Sequence, residues 1–157
     1  MFTVRSMQFT DLDEVYSIEL QGHRAPWSRN IISDCILVGY DCQVLEHETD
    51  KKKIIIGYII SRETCTVYHI LNLCIMPTMQ GQGLGKYLLK AVIDKLKGSF
   101  IDSIILEVRP SNQRAIALYE HFGFQKDSIK KDYYQDVGGL EDAWLLRKNL
   151  RQTTPYE

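Results

Sequence analysis

A surplus of positive charge is absent from this chain. Among 157 residues, 19 Lys and Arg stand against 20 Asp and Glu, a formal charge of −1. A domain that coats nucleic acid needs clustered excess cations to release counterions, so that class is excluded. A hydrophobic content of 45% likewise excludes a disordered acidic chain. Cysteine is sparse: Cys35, Cys42, Cys65 and Cys74 include no CxxC pair. A chain of this size does not need a disulfide framework, which points to reduced thiols and a cytoplasmic setting. His23, His47, His69 and His121 lack metal-ligand spacing, so no metal is expected. Long apolar runs are missing too. The longest, residues 54–60, is far too short to span a bilayer, and the opening MFTVRSMQFTDLDE carries charge where a secretion signal has its apolar core. No membrane partner is expected. With no repeat and no Pro- or Ser-rich linker, residues 1–150 read as one domain, and 151–157 are expected to fray.

What is present is an alternation of strand and helix signals. Residues 2–7 read as a first strand. Thr10 and Asp13 suggest a helix start of capping-box type, with Leu12, Val15, Tyr16 and Ile18 as its buried stripe. Ser28, after Pro26-Trp27, can cap a second short helix through about Cys35. Strands are expected over 36–46, 54–63 and 67–76. From Leu84, apolar residues at 84, 87, 88, 91, 92 and 96 mark an amphipathic helix. A strand over 103–108 follows. Ala115, Leu118, Tyr119 and Phe122 then form one face of a helix stopped by Gly123. Strands over 124–134 and 141–146 close the chain. The fold class is α/β, with a mixed sheet.

The most informative segment is Gln80-Gly81-Gln82-Gly83-Leu84-Gly85-Lys86, between a strand and a helix. Backbone N–H groups and the helix dipole attract anions there, and glycine lets the backbone close around a phosphate. The bland reading is a glycine-rich turn without a ligand. A Walker loop fails because Gln stands at 80 and Tyr at 87. A dinucleotide fingerprint fails because Lys stands at 86.

The pattern Gln-x-x-Gly-x-Gly resembles the acyl-CoA loop of the GNAT superfamily of N-acetyltransferases. Leu106-Glu107-Val108-Arg109 with Ser111-Asn112, and then AIALYEHFGF over 115–124, fit the same family in the same order. Pro26-Trp27-Ser28, Tyr133-Tyr134 and Glu141-Asp142-Ala143 are similar to the RimI branch, bacterial enzymes that acetylate the N-terminal alanine of a small-subunit ribosomal protein. The resemblance runs from about residue 3 to 146. It implies a central mixed sheet flanked by helices, with an acyl-CoA cleft between the two central strands. It also implies acetyl-CoA as cosubstrate, and direct attack by the acceptor amine in a ternary complex.

Residue roles follow from the same resemblance. Glu107 matches the proton acceptor and Tyr119 the donor to the coenzyme thiolate. Leu73, Cys74 and Ile75 match the strand that pairs with pantetheine. Gly81, Gln82, Gly83, Leu84, Gly85 and Lys86 match the pyrophosphate cradle, and Asn112 matches a side chain on acetyl-CoA. Two departures stand out: Gly81 replaces a usual basic residue, and Asp132 replaces a longer polar one.

The residues themselves leave alternatives open. Alternation puts Glu107 on one strand face with Ile105, an apolar neighbour that would raise its pKa, yet Arg109 on that face offers a structural ion pair instead. Tyr119 is equally an aromatic core residue, and Asn112 a helix cap. Trp27, Tyr133 and Tyr134 can wall a slot for a small first residue or serve as partial core. Asp136, Glu141 and Asp142 can attract a basic peptide or face solvent. Cys65 and His69, four apart in a strand, would sit about 13 Å from each other, too far for a thiol–imidazole pair. A free α-amine, with a pKa of about 7.7–8.0 against about 10.4 for lysine, needs only mild help to lose its proton. Other N-termini, lysines, small amines and a non-catalytic acyl-CoA-binding module are the rival readings.

Overall fold

The computed structural model describes residues 1–151. The tail expected to fray lies, apart from Arg151, outside the described residues. Among the described residues, seven strands and four α-helices follow one another in the order β1 (Phe2–Ser6), α1 (Leu12–Gly22), α2 (Arg29–Leu37), β2 (Asp41–Thr49), β3 (Lys52–Thr64), β4 (Val67–Ile75), α3 (Leu84–Leu96), β5 (Ser103–Val108), α4 (Gln113–His121), β6 (Gln125–Asp136) and β7 (Gly139–Asn149). The strands stand in the order β1-β2-β3-β4-β5-β7-β6. The β4/β5 pair is parallel, and the β1/β2, β2/β3, β5/β7 and β6/β7 pairs are antiparallel, so the sheet is mixed as expected.

The chain divides into two compact units, the first being Met1–Arg62 with Leu71–Lys95, the second Glu63–Ile70 with the chain from Leu96 onward. In the first unit, Val15 and Ile18 of α1, Ile32 of α2, Val44 of β2 and Tyr58 and Ile60 of β3 are buried in one apolar cluster. That burial supplies the main drive for the amphipathic helices to hold their form. Ser28 does cap α2, its Oγ accepting from the Ile31 N–H at 3.2 Å. The start of α1 differs from expectation. A short 3-10 turn, Phe9–Asp11, precedes it, and Asp11 Oδ2 takes the Gln8 N–H at 2.8 Å, so Gln8 and Asp11 form the box rather than Thr10 and Asp13. Asp11 also receives Arg5 Nη1 at 2.8 Å.

The second strand is also displaced. Ile36 and Leu37 belong to the last turn of α2, Gly39 takes a left-handed turn at φ +83°, and β2 starts only at Asp41. In the second unit, β4 and β5 pair from Val67↔Ser103 to Ile70↔Leu106. β7 lies between β5 and β6, pairing Leu145 with Glu107 on one side and with Ser128 on the other. Gly123, at φ +87°, ends α4 as expected. Cys65, exposed and at φ +54°, sits in the turn before β4 rather than in a strand, which removes the geometry assumed for Cys65 and His69. No helix among the described residues is long and apolar enough to cross a membrane.

Candidate active site

In the parallel register His69 stands opposite Ile105, so Glu107, two residues on, lies on that same face. The Glu107 carboxylate is almost covered, 8% exposed, and holds two partners. His69 Nε2 lies 2.7 Å from Oε2, and Lys130 Nζ lies 2.6 Å from Oε1. Arg109 is not among them. Its guanidinium reaches Asp136 at 2.9 Å and Glu141 at 3.1 Å, and stacks 4.2 Å over the Tyr134 ring. The expected rise in the Glu107 pKa is therefore reversed. Burial alone would lift it, but bonds to His69 and Lys130 outweigh burial and bring it down to about 2.

Tyr119 is buried on α4, its ring edge-on to Phe124 at 5.6 Å. Burial, with Tyr134 nearby, pushes its pKa above the usual phenol range, so the hydroxyl stays protonated at neutral pH. Tyr134 is pushed up to about 12, first by burial and then by Tyr133, Glu107 and Glu141, with Arg109 opposing. Thus Glu107, Tyr134 and Tyr119 share one neighbourhood of the second unit. Tyr133 stands half-exposed against Tyr134, ring centroids 4.9 Å apart and nearly perpendicular. The acidic residues of this hairpin are engaged. Asp136 and Glu141 hold Arg109, Glu141 also takes the Ser111 N–H and hydroxyl at 3.0 and 3.1 Å, and Asp142 takes the Asp132 N–H at 2.9 Å. One guanidinium and several neutral donors hold these three carboxylates, so they brace the hairpin while the cluster keeps a net negative charge.

The glycine loop lies in the first unit. Gly81 and Gly83 sit at φ +83° and +77°, left-handed values that a side chain would strain. Tyr87 N–H closes the first bond of α3 onto the Gly83 carbonyl at 3.0 Å. A helix leaves its earliest N–H groups without partners inside itself, here those of Leu84, Gly85 and Lys86. The first turn of α3 carries no acidic residue and does carry Lys86. That donor set fits a diphosphate. Gln80 braces the loop, its Nε2 donating to the Ile75 carbonyl at 3.1 Å. Asn112 caps α4, its Oδ1 accepting from the Ala115 N–H at 3.2 Å, which is its bland reading realised.

The first unit also holds a polar cluster that the sequence reading passed over. Glu19 of α1, 1% exposed, accepts from the Tyr58 hydroxyl, from Asn72 Nδ2 at 2.7 Å and from the Trp27 backbone N–H at 2.9 Å. His23 Nε2 lies 3.4 Å away. One carboxylate thus fixes the bend that carries Trp27, whose ring packs partly buried on the apolar cluster. The signal was present in the sequence, since Glu19 is four residues from Val15 and falls on the buried stripe.

A sequence model of the acetyltransferase (GNAT) family matches residues 5–124. The chain belongs to that family. The [ribosomal protein bS18]-alanine N-acetyltransferase of Escherichia coli K12 is 33% identical over 146 residues, covering 93% of this chain and 96% of that protein. The crystal structure of the ribosomal-protein-alanine N-acetyltransferase from Escherichia coli superposes with a TM-score of 0.87 at 32% identity, over 100% of this chain and 99% of that one. The Arabidopsis thaliana protein NAA60, solved in complex with acetyl-CoA, has a TM-score of 0.84 at 17% identity, covering 96% and 99% of the two chains, and shares the fold. The GNAT membership makes this chain an acetyltransferase, and its mixed sheet with flanking helices is that family's architecture.

Proposed function

We propose that this GNAT protein moves an acetyl group from acetyl-CoA to the free α-amine of an N-terminal alanine, on a small-subunit ribosomal protein in the cytoplasm. Residues 1–150 act in this reading as one acetyltransferase domain, and neither nucleic acid nor membrane enters it. The observation that carries it is the Glu107 carboxylate at the end of β5, nearly covered yet reached by two nitrogen groups. Amine chemistry needs an acceptor for one proton, and this is a carboxylate already engaged with nitrogen.

Bound acetyl-CoA supplies an activated thioester. The N–H groups of 81–86, with Lys86, would hold its diphosphate, and the backbone of Leu73, Cys74 and Ile75 its pantetheine arm. Asn112 keeps its amide nitrogen for the coenzyme while its oxygen caps α4. Glu107 takes the proton that the acceptor ammonium loses, directly or through a water; its bonds to His69 and Lys130 hold it at about 2, so it serves as the base once such a partner has moved away. Tyr119, held protonated, donates to the departing thiolate sulfur. Trp27, Tyr133 and Tyr134 restrict the first residue of the acceptor.

The test is mass spectrometry of a peptide panel incubated with acetyl-CoA. It contains a ribosomal-type peptide with free N-terminal alanine, the same peptide N-blocked with free lysines, and variants with a large first residue. Acetylation of the free alanine peptide alone is expected, and Glu107→Gln should lower turnover by about 10²-fold. Acetylation of the blocked peptide would move the acceptor to lysine. A folded Glu107→Gln variant at full rate would remove Glu107 from the mechanism.

A further inference from the structure

Lys130 reaches Glu107 from two strands away. Glu107 pairs with Leu145 on β7, and Lys130 pairs across β7 with Ala143. Its ammonium therefore crosses β7 above a residue with only a methyl side chain. The two ends of the ion pair differ in exposure: the carboxylate is 8% exposed and the lysine side chain 44%. A fixed, covered anion is met by a solvent-facing cation on a flexible stem. The same Nζ stands 5.3 Å from the centroid of the Tyr133 ring. A carboxylate on one side and an aromatic face on the other are the two elements that recognise an organic ammonium.

Sequence alternation would not place Tyr133 there. Residues three apart on a regular strand point to opposite faces. Between Lys130↔Ala143 and Tyr134↔Glu141, however, β6 advances four residues while β7 advances two. Asp132 sits at φ +49° in that irregularity, tied by its N–H to Asp142. The bulge brings Tyr133 to the ammonium of Lys130.

We propose that Glu107 and the Tyr133 ring form a seat for a primary ammonium, that Lys130 fills it in the free protein, and that the acceptor's α-ammonium must displace Lys130 to bind. The inference rests on the proposed acetyl transfer to an N-terminal amine. Lys130 is then an internal competitor, chemically alike to the group it excludes. It lowers acceptor affinity without taking part in acetyl transfer. The incoming ammonium takes over the pairing with Glu107, but unlike Lys130 it is consumed: once that amine has given up its proton and been acetylated, no cation replaces it in the seat until Lys130 returns.

The experiment compares Lys130→Met with Lys131→Met, which removes the same charge from the hairpin without vacating the seat. Steady-state kinetics use a peptide with free N-terminal alanine. Calorimetry of that peptide on the CoA-bound protein gives a readout independent of turnover, and Lys130→Gln serves as a second variant. We expect KM and Kd to fall about 2- to 5-fold in both Lys130 variants, the scale of a solvent-facing ion pair, with no change in Lys131→Met. Unchanged or weaker peptide binding in folded Lys130 variants would overturn the proposal. So would an equal gain in Lys131→Met, which would reduce the effect to general charge. Glu107→Gln separates this idea from the proposed function. A raised KM at full kcat leaves the seat standing and removes the base. A lost kcat, with Lys130→Met neutral in KM, does the reverse.

Discussion

Replacing Glu19 by Gln tests how much of the first unit hangs on one buried carboxylate. The side chain keeps its shape, but one acceptor oxygen becomes an NH2 donor. Oε1 serves the Tyr58 hydroxyl and Asn72 Nδ2, and Oε2 serves the Trp27 N–H. Whichever oxygen is exchanged, at least one donor then faces another donor inside a site 1% exposed. A hydrogen bond to a charged group contributes about 1.5–3 kcal/mol, and a stranded buried donor costs about 1–3 kcal/mol. These overlap, so we expect a loss of about 3 kcal/mol. For a chain of this length that lowers Tm by about 6–12 °C. Urea denaturation followed by tryptophan fluorescence, with a thermal scan beside it, measures both. Tyr58→Phe removes one donor only and should cost about 1 kcal/mol, and the double variant should lose less than the sum. A Glu19→Gln protein within about 0.5 kcal/mol of the original would refute the reasoning, because surface substitutions fall in that range.

Three further outcomes are expected. Tyr119→Phe should keep the ring packed on Phe124 and leave Tm almost unchanged, while turnover drops about 10²-fold; full turnover would return Tyr119 to a purely structural role. The Glu107 carboxyl, down at about 2 from an ordinary 4.5, adds stability that is complete above pH 4.5 and is lost as pH falls toward 2. Solvent screening at exposed Lys130 brings that increment to about 1–2 kcal/mol, so the stability gap between the original protein and Glu107→Gln should close as pH falls from 5 to 2. A gap that stays constant would mean that the ion pairs add nothing. Gly57→Ala on β3 would place a Cβ 2.6 Å from Ile75 Cδ1 and 3.0 Å from the Cys74 carbonyl oxygen, and should cost about 1–3 kcal/mol by chemical denaturation.

The elements with strong local signals were legible in advance. The β5 strand and α3 match the expected spans, and Ser28 caps the helix it was expected to cap. The run Ile36-Leu37-Val38 misled because β-branched and apolar residues suggest strand, whereas the last turn of α2 claims the first two and Gly39 makes the turn. Position 107 could be picked out, but its electrostatics could not. His69 comes from β4, 38 residues away, and Lys130 from β6, 23 residues away. Neither pairing has a local signature, and the second depends on register. Arg109, the neighbour that spacing favoured, was drawn off by Asp136 and Glu141 of the hairpin.

The irregularity at Asp132 has a bearing on how such a protein can diversify. Glu107 stands on a strand whose six residues keep regular register with β7, so its position is fixed by many backbone bonds. Lys130, one of its two partners, belongs to a strand whose register slips twice, at Lys126/Ser128 and Lys130/Tyr134. Insertions or deletions are absorbed more readily where pairing is already interrupted. In the proposed reaction the base stands on β5 and part of the acceptor slot on the β6–β7 hairpin, so a lineage could retune the acceptor by editing the hairpin while inheriting the position of Glu107 intact.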